Sequence, residues 1–279
     1  MHMTSAFAVK HETFELCGSV ALFAQSWTPS TALRGTVGIV HGIGEHSNRY
    51  AQFAGRLASA GYRVVGYDQR GHGQTKGKRG DAPSYHQLLD DVDTLIAYCA
   101  GENSKTPIYL FGQSFGGNLV LNYALRRQPK LAGVIASSPL VLPTHRPPRW
   151  KRLAARVLDR VWPSFTFRTG IRPEELSHDP AVAMAYRDDP RVHDQVSARL
   201  AVAMLDAGEW ALEHASELSI PTLLLHGEAD SITSVDATIA FARSAGDIAT
   251  LHTFPGLFHE LHWERERQDT LQVIVDWLG

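Results

Sequence analysis

This 279-residue sequence has few cysteines, no long apolar run and no marked excess of charge of either sign. Its two cysteines, Cys17 and Cys99, are far apart and match no metal-site spacing, so we expect neither a disulfide framework nor a bound metal, and a reducing compartment fits. No apolar run approaches the roughly 18 residues of a membrane-spanning helix. The 27 basic and 29 acidic residues give a net charge of −2, which argues against nucleic acid as a partner.

The N-terminal stretch, residues 1–10, lacks a basic region followed by a long apolar core, so no export signal is predicted and a cytoplasmic location is expected. A chain of this length can bury a large core. Chains of this size with an α/β pattern commonly form one unit that carries an insertion.

Short, almost wholly apolar runs recur along the chain, as buried strands do when helices cover both faces of their sheet. They are residues 35–40, 62–67, 107–111, 131–136 and 221–225, and a last strand is predicted at 250–254. Helical spacing is found between and after them, at residues 50–60, 84–99, 114–127, 235–245 and 264–278. Residues 12–27 alternate like an antiparallel edge hairpin. The sequence therefore predicts an α/β fold with a mostly parallel central sheet flanked by helices on both faces.

This alternation stops between Pro139 and about Trp210, where helical periodicity takes over. A segment of this length with structure of its own is usually a lid or a binding element. We therefore predict that residues 1–138 and 211–279 form the core and that residues 139–210 form a helical cap, inserted before the last two strands.

One helix of the predicted cap is both basic and amphipathic. Apolar residues recur at spacings of three and four, at Trp150, Leu153, Ala154, Val157, Leu158, Val161 and Trp162. Eight lysines and arginines and a single acid lie within residues 146–172. Two hypotheses stay open. Either the cap contacts a membrane peripherally, through Trp150, Leu153, Val157, Arg152 and Arg156, or the helix turns its apolar side to the core and its basic side to solvent.

A candidate nucleophile lies in Gly112-Gln-Ser-Phe-Gly116, where a predicted strand gives way to a predicted helix. This strand, turn and helix context is what a G-x-S-x-G nucleophile elbow requires, although the motif alone is common by chance. Its Ser114 is a poor nucleophile at neutral pH unless a base takes its proton and a third group orients that base.

Candidates for the base and for the acid follow the last two predicted strands. His259 comes just after the last one and Asp230 just after the one before. Carboxyl ends of parallel strands share one edge of a sheet, so both should lie near Ser114. The order Ser, Asp, His is that of α/β-hydrolases. Glu228 could replace Asp230, and His262 is the nearest competitor of His259.

Ester hydrolysis through a serine also needs backbone N–H groups that stabilise the tetrahedral oxyanion. Phe115, directly after the nucleophile, is expected to supply one. The glycine-containing loop 41–44, which follows the strand at 35–40, is expected to supply the second from Ile43. A plain glycine-rich turn is the alternative reading of that loop.

Several strings closely resemble the monoacylglycerol lipase and lysophospholipase group of α/β-hydrolases. They are HGIGEHSNRY at 41–50, YDQRGHGQTKG at 67–77, GQSFGG at 112–117, HGEAD at 226–230 and HE at 259–260. The resemblance runs from about residue 35 to the end, except in the predicted cap. It implies an α/β-hydrolase fold and hydrolysis of monoacylglycerols, without cofactor, under a hydrophobic cap that touches membranes. A lysophospholipase, a general carboxylesterase and a non-catalytic ligand-binding protein on the same fold stay as alternatives.

Two positions of the elbow depart from the pattern of that group. Gln113 stands where it usually has His, and Phe115, where it usually has Met, is expected to narrow the pocket. Serine at position 114, rather than Asp, argues against the haloalkane dehalogenases and epoxide hydrolases that share the fold.

Overall fold

A computed structural model describes residues 9–101 and 106–279, so most of the N-terminal stretch discussed above lies outside it. The strands are β1 (Val9–Cys17), β2 (Ala21–Pro29), β3 (Gly35–Val40), β4 (Tyr62–Tyr67), β5 (Ile108–Gln113), β6 (Gly133–Ser137), β7 (Thr166–Arg168), β8 (Gln195–Ser197), β9 (Thr222–Gly227) and β10 (Ala249–Phe254). The α-helices are α1 (Ala51–Ser59), α2 (Tyr85–Ala100), α3 (Phe115–Arg127), α4 (Arg149–Val161), α5 (Pro180–Asp188), α6 (Ala198–Glu213), α7 (Val235–Ala245) and α8 (Arg267–Leu278).

Eight of the strands form one sheet in the order β1-β2-β4-β3-β5-β6-β9-β10. The hairpin β1–β2 is antiparallel and joins β4 in antiparallel register, while the other pairs are parallel. The predicted edge hairpin and the mostly parallel sheet are therefore confirmed. β3 and β4 have the predicted bounds, whereas β5, β6 and β9 begin one or two residues later and extend further towards the edge where the candidate residues lie.

Helices cover both faces of this sheet, as predicted. Leu224 points into an apolar cluster shared with α2, α3 and α7. Its neighbours Leu223 and Leu225 point into a second cluster, shared with α1 and α8. Successive side chains of a strand face opposite ways, so a strand buried on both faces must be apolar at every position. This explains the unbroken apolar runs in the sequence.

The segment between β6 and β9, residues 138–221, is here called the insert. It contains α4, α5 and α6, and also a two-stranded antiparallel sheet of β7 and β8 that the sequence did not predict. Strands of three residues are too short to show an alternating pattern. Helix α6 ends at Glu213, so it crosses the predicted boundary of the cap at residue 210. The division into core and cap stays a prediction.

Helix α4 turns its apolar side to solvent. Trp150, Leu153 and Val161 are 67%, 64% and 79% exposed, and no residue of α4 is buried. Its opposite side faces α6, where Arg152 and Arg156 bind carboxylates. The alternative in which the apolar side of this helix faces the core is therefore wrong.

Helix α3 passes very close to the end of β3 at Gly116. A Cβ atom at Gly116 would lie 2.0 Å from the carbonyl oxygen of Val40 and 2.6 Å from that of His41. Both neighbours are backbone atoms, and Val40 is paired with β4 and β5, so neither side can yield without breaking the sheet. Only glycine allows this crossing.

We expect Gly116→Ala to lower the free energy of unfolding by about 3 kcal/mol or more, because the added methyl forces α3 away from β3. Gly55→Ala in α1 is the matched control, since a Cβ there meets nothing within 4 Å. That change should instead stabilise the protein by about 0.5–1 kcal/mol, the helix-propensity difference between the two residues. Urea unfolding of both variants measures the difference, and equal effects would contradict the close-crossing argument.

Candidate active site

Ser114 forms the sharp turn between β5 and α3. Its backbone has φ 56° and ψ −117°, a conformation that costs a non-glycine residue about 1–3 kcal/mol. Hydrogen bonds hold the turn on both sides: the Ser114 N–H donates to the carbonyl of Ser137 at 3.0 Å, and the Leu140 N–H donates to the carbonyl of Ser114 at 2.9 Å. The strand, turn and helix expected of a nucleophile elbow are therefore present.

Asp230 and His259 meet at the same edge of the sheet as Ser114. Asp230 follows β9, His259 follows β10, and His259 Nδ1 lies 2.7 Å from Asp230 Oδ2. This contact leaves the other ring nitrogen of His259 available as a base. Ser114 and His259 line the same small cavity, but the described contacts include no hydrogen bond between the serine hydroxyl and the imidazole.

The surroundings of Asp230 keep it ionised. Burial alone would raise the pKa of this carboxyl, but the His259 and His226 rings hold it well below its ordinary value. The N–H groups of Ile232 and Thr233 donate to Asp230 Oδ1 at 2.7 and 3.0 Å, and the Thr233 hydroxyl donates to Oδ2 at 2.8 Å. A carboxylate with this many donors is fixed in place. His226, whose Nε2 lies 3.3 Å from Asp230 Oδ2, was not recognised from the sequence as part of the site.

The pKa of His259 is raised above its ordinary value. Burial acts in the opposite direction, but the Asp230 carboxylate outweighs it, and the buried carboxylates Glu260 and Glu45 add to the increase. Negative charge near a histidine favours the imidazolium, the form that arises once the ring has accepted a proton.

The competing residues lie apart from this pair. The exposed carboxylate of Glu228 accepts a hydrogen bond from the Thr253 hydroxyl at 2.8 Å. His262 is buried and stacked on the Tyr50 ring at 4.7 Å, and neither of its ring nitrogens has a hydrogen-bond partner among the described residues. Geometry therefore favours Asp230 over Glu228 and His259 over His262.

Hydrogen bonds made by its own residues and by Gln69 fix the orientation of the loop that carries Ile43. Gln69 N–H donates to His41 Nε2 at 2.9 Å, so the proton of this neutral ring is on Nδ1, which donates to the carbonyl of Gly42 at 2.7 Å. Glu45 accepts the Gly42 N–H at 2.6 Å. In the trans peptide between Gly42 and Ile43, the N–H of Ile43 points in the direction opposite to the carbonyl of Gly42. The hydrogen bond between this carbonyl and the His41 ring therefore turns the Ile43 N–H away from that ring.

A buried arginine that the sequence analysis missed joins two loops of the site. Arg49 binds Glu45 of the Ile43 loop at 3.1 Å and Glu260, next to His259, at 2.5 Å. Burial alone would raise the pKa of Glu45, but the charge of Arg49 outweighs it and the pKa of Glu45 is lowered. The pKa of Glu260 is raised, because burial and the nearby Glu45 carboxylate outweigh Arg49. The acid and the base at positions 45 and 49 have the i, i+4 spacing of an ion pair, which was an available signal. The partner at position 260 is too distant in sequence to be anticipated.

The two unusual elbow residues have different environments. Gln113 Nε2 donates to the carbonyl of His259 at 3.2 Å, so it ties the elbow to the histidine loop. The Phe115 side chain is fully buried in the core cluster beside α2 and α3. It is not among the described residues that line the two cavities at Ser114, so the expectation that it narrows the pocket is wrong.

Two cavities meet at Ser114. The larger has a volume of about 620 Å³ and extends from Ser114 and Ile43 to α4, with a mostly apolar lining that includes Leu140, Phe167, Ile171, Val202, Met204 and Leu205. The smaller holds only about 10 Å³ and is lined by polar as well as apolar groups, among them Glu45, Tyr186, Glu260, His259 and Leu176. Ser114 thus lies between a large, mostly apolar cavity and a very small one whose lining includes the buried acids Glu45 and Glu260.

Comparison with known proteins agrees with this geometry. A family model described as Serine aminopeptidase, S33 (Hydrolase_4) matches residues 31–266. The chain belongs to this family. It is 31% identical over 278 residues to a monoacylglycerol lipase from Mycolicibacterium smegmatis, which covers 99% of both chains. An uncharacterized abhydrolase domain-containing protein from Dictyostelium discoideum is 35% identical over 260 residues, and the chain spans 27% of that protein's length.

Among solved structures, the crystal structure of Paleococcus ferrophilus monoacylglycerol lipase is similar with a TM-score of 0.83 and 33% identity, covering 97% of this chain and 98% of that one. The family match and the similarity to monoacylglycerol lipases together show that the protein is an esterase-type hydrolase with the α/β-hydrolase fold. The resemblance to the monoacylglycerol lipase group drawn from the sequence is confirmed.

The raised pKa of His259 predicts the pH dependence of this hydrolase. His259 must be neutral to accept a proton, so we expect the acid limb of kcat/KM for ester hydrolysis above the ordinary histidine value of about 6.5. Asp230→Asn should move this limb to lower pH and reduce kcat by about 10⁴-fold. By linkage, protonated His259 stabilises the fold below its unfolded-state pKa, and this contribution is lost as pH rises through the folded-state value.

Measurement of kcat/KM from about pH 5 to about pH 9 tests this, with Glu228→Gln as the matched control. The control should change neither the limb nor the rate, because Glu228 binds only Thr253 among its described side-chain contacts. An acid limb below about pH 6 in the wild type would contradict the assignment of His259.

Proposed function

We propose that the protein hydrolyses monoacylglycerols to a fatty acid and glycerol, through an acyl-enzyme on Ser114. The observation that carries this proposal is the position of Ser114 in the wall of a mostly apolar cavity of about 620 Å³, beside the His259–Asp230 pair. The monoacylglycerol lipases that resemble the chain over nearly its whole length support the same substrate class.

In this mechanism His259 Nε2 takes the proton of Ser114 as Oγ attacks the ester carbonyl. The N–H groups of Phe115 and Ile43 stabilise the oxyanion, and His259 then gives its proton to the leaving oxygen of glycerol. Water repeats the sequence on the acyl-enzyme and releases the fatty acid. Asp230 fixes the tautomer of His259 and stabilises the imidazolium.

The larger cavity supports an acyl chain as one end of the substrate. The acyl chain fits the larger, apolar space, whose walls offer Leu, Ile, Met and Phe side chains. The small chamber, with a volume of about 10 Å³ and with Glu45, Tyr186 and Glu260 in its lining, has room for about one water molecule and is too small for glycerol. No step requires a cofactor.

We further propose that residues 139–210 act as a cap and that α4 contacts a membrane peripherally. Trp150, Leu153 and Val157 are 67%, 64% and 54% exposed, and together form an apolar surface of the kind that partners usually cover. Arg152 and Arg156 instead pair with Glu209 at 2.7 Å and Asp206 at 2.8 Å, so the apolar side carries the contact. No helix among the described residues is long and apolar enough to cross a membrane. A cytoplasmic location stays a prediction.

Ser114→Ala should leave the protein folded and reduce ester hydrolysis by about 10⁴-fold or more, because the acyl-enzyme can no longer form. Ser59→Ala, which removes an exposed helical hydroxyl, should retain the wild-type rate. In the wild type, kcat/KM should be highest for monoacylglycerols when these are compared with lysophospholipids, short p-nitrophenyl esters and aminoacyl anilides. Full activity of Ser114→Ala would contradict the proposed mechanism. A higher kcat/KM for lysophospholipids would show that these, and not monoacylglycerols, are the preferred substrates.

Binding to liposomes should depend on the apolar side of α4. Changing Trp150, Leu153 and Val157 to Ser should weaken sedimentation with anionic liposomes by at least about 10-fold, since each buried side chain contributes about 1.5–3 kcal/mol. Met184→Ser on α5 is the matched control, because Met184 is 60% exposed on another helix of the insert. Unchanged binding of the triple variant would show that α4 does not make the membrane contact.

A further inference from the structure

Glu264 has a buried carboxylate that the mechanism above does not use. It follows a short 3-10 helix, Leu261–Trp263, in the loop that leads from His259 to α8. Its side chain is 0% exposed, and four donor groups surround its two oxygens. A charged group without access to water requires such compensation, so its position is strictly determined.

On one side Glu264 holds the loop of the catalytic base. The Phe258 N–H donates to Glu264 Oε1 at 2.8 Å, and Phe258 directly precedes His259. On the other flank of His259, the N–H of Glu260 donates to the carbonyl of Leu176 at 2.7 Å. The backbone is therefore anchored immediately before and immediately after the histidine.

On its other side Glu264 holds the insert. The His178 N–H donates to Glu264 Oε2 at 3.0 Å, and His178 Nδ1 lies 2.9 Å from Oε1. The Ser177 hydroxyl reaches Glu264 Oε2 at 3.2 Å and the carbonyl of Trp263 at 3.0 Å. The His178 ring also stacks on Phe258, with ring centroids 3.7 Å apart. One carboxylate thus binds the segment next to Leu176, which lines the small chamber, and the segment next to His259.

We propose that Glu264 is a positioning residue that fixes the insert to the loop of the catalytic base, so that His259 and the Leu176 wall of the small chamber beside Ser114 are placed together. This inference rests on the proposed function. A neutral amide cannot take over the role, because its NH₂ group would face N–H donors where an acceptor is needed. Loss of the carboxylate therefore releases both anchored segments, and a shift of about 1 Å in a catalytic group can cost about 100-fold in rate.

The test compares Glu264→Gln with Glu266→Gln, an exposed residue two positions later in the same loop. In Glu264→Gln, kcat for the best ester should fall at least about 10-fold while KM changes less than about 3-fold. The downfield proton NMR signal of the His259–Asp230 hydrogen bond, measured without substrate, should shift or broaden. Glu266→Gln should match the wild type in both measurements.

If circular dichroism shows that Glu264→Gln does not fold, His178→Phe is tested by the same two measurements. This variant keeps a ring beside Phe258 and removes the Nδ1 donor to Glu264. Wild-type kcat with an unchanged NMR signal would overturn the proposal, as would a loss carried by KM alone. The NMR signal reports the position of His259 in the absence of turnover. A wild type that shows the signal but hydrolyses no ester would therefore count against the proposed function and not against the role of Glu264.

Discussion

The crossing of α3 over the ends of β3 and β5 is the constraint on which the site depends. Gly116 lets the helix backbone approach the carbonyl of Val40, and a Cβ at Gly112 would lie 2.3 Å from the carbonyl of Gly116. Ser114 lies between these two contacts and has to adopt its strained conformation. The parallel strands β9 and β10 end at the same edge, which brings Asp230 and His259 there. Packing of the sheet therefore compensates for the strain at the serine.

Buried charged side chains hold the loops around Ser114 in fixed positions relative to one another. Arg49 connects the Ile43 loop to Glu260, and Glu264 connects the loop of His259 to the insert. Buried ion pairs contribute little net stability, because desolvation offsets most of their attraction. Their effect here is on geometry, because Arg49 and Glu264 each keep all of their hydrogen bonds in only one arrangement of the neighbouring loops. Loops that would otherwise move independently are thereby fixed around one serine.

Local patterns were sufficient to predict the sheet, most helices and the order of Ser114, Asp230 and His259. Each of these depends on a short apolar run and on the residue that follows it. The contact of Arg49 with Glu260 and that of Glu264 with His178 could not be predicted, because these partners are distant in sequence and meet only after folding. β7 and β8 were missed because strands of three residues carry no readable period.

Helix α4 shows the limit of periodicity most clearly. The spacing of Trp150 and Val157 shows that one side is apolar but not which way that side faces. In the structure, Arg152 and Arg156 on the side that faces α6 pair with Glu209 and Asp206. Exposed apolar area costs about 25 cal/mol per Å² unless something covers it. Because Arg152 and Ala155 of the same helix line the larger cavity, the membrane contact proposed above would lie one helix thickness from that cavity.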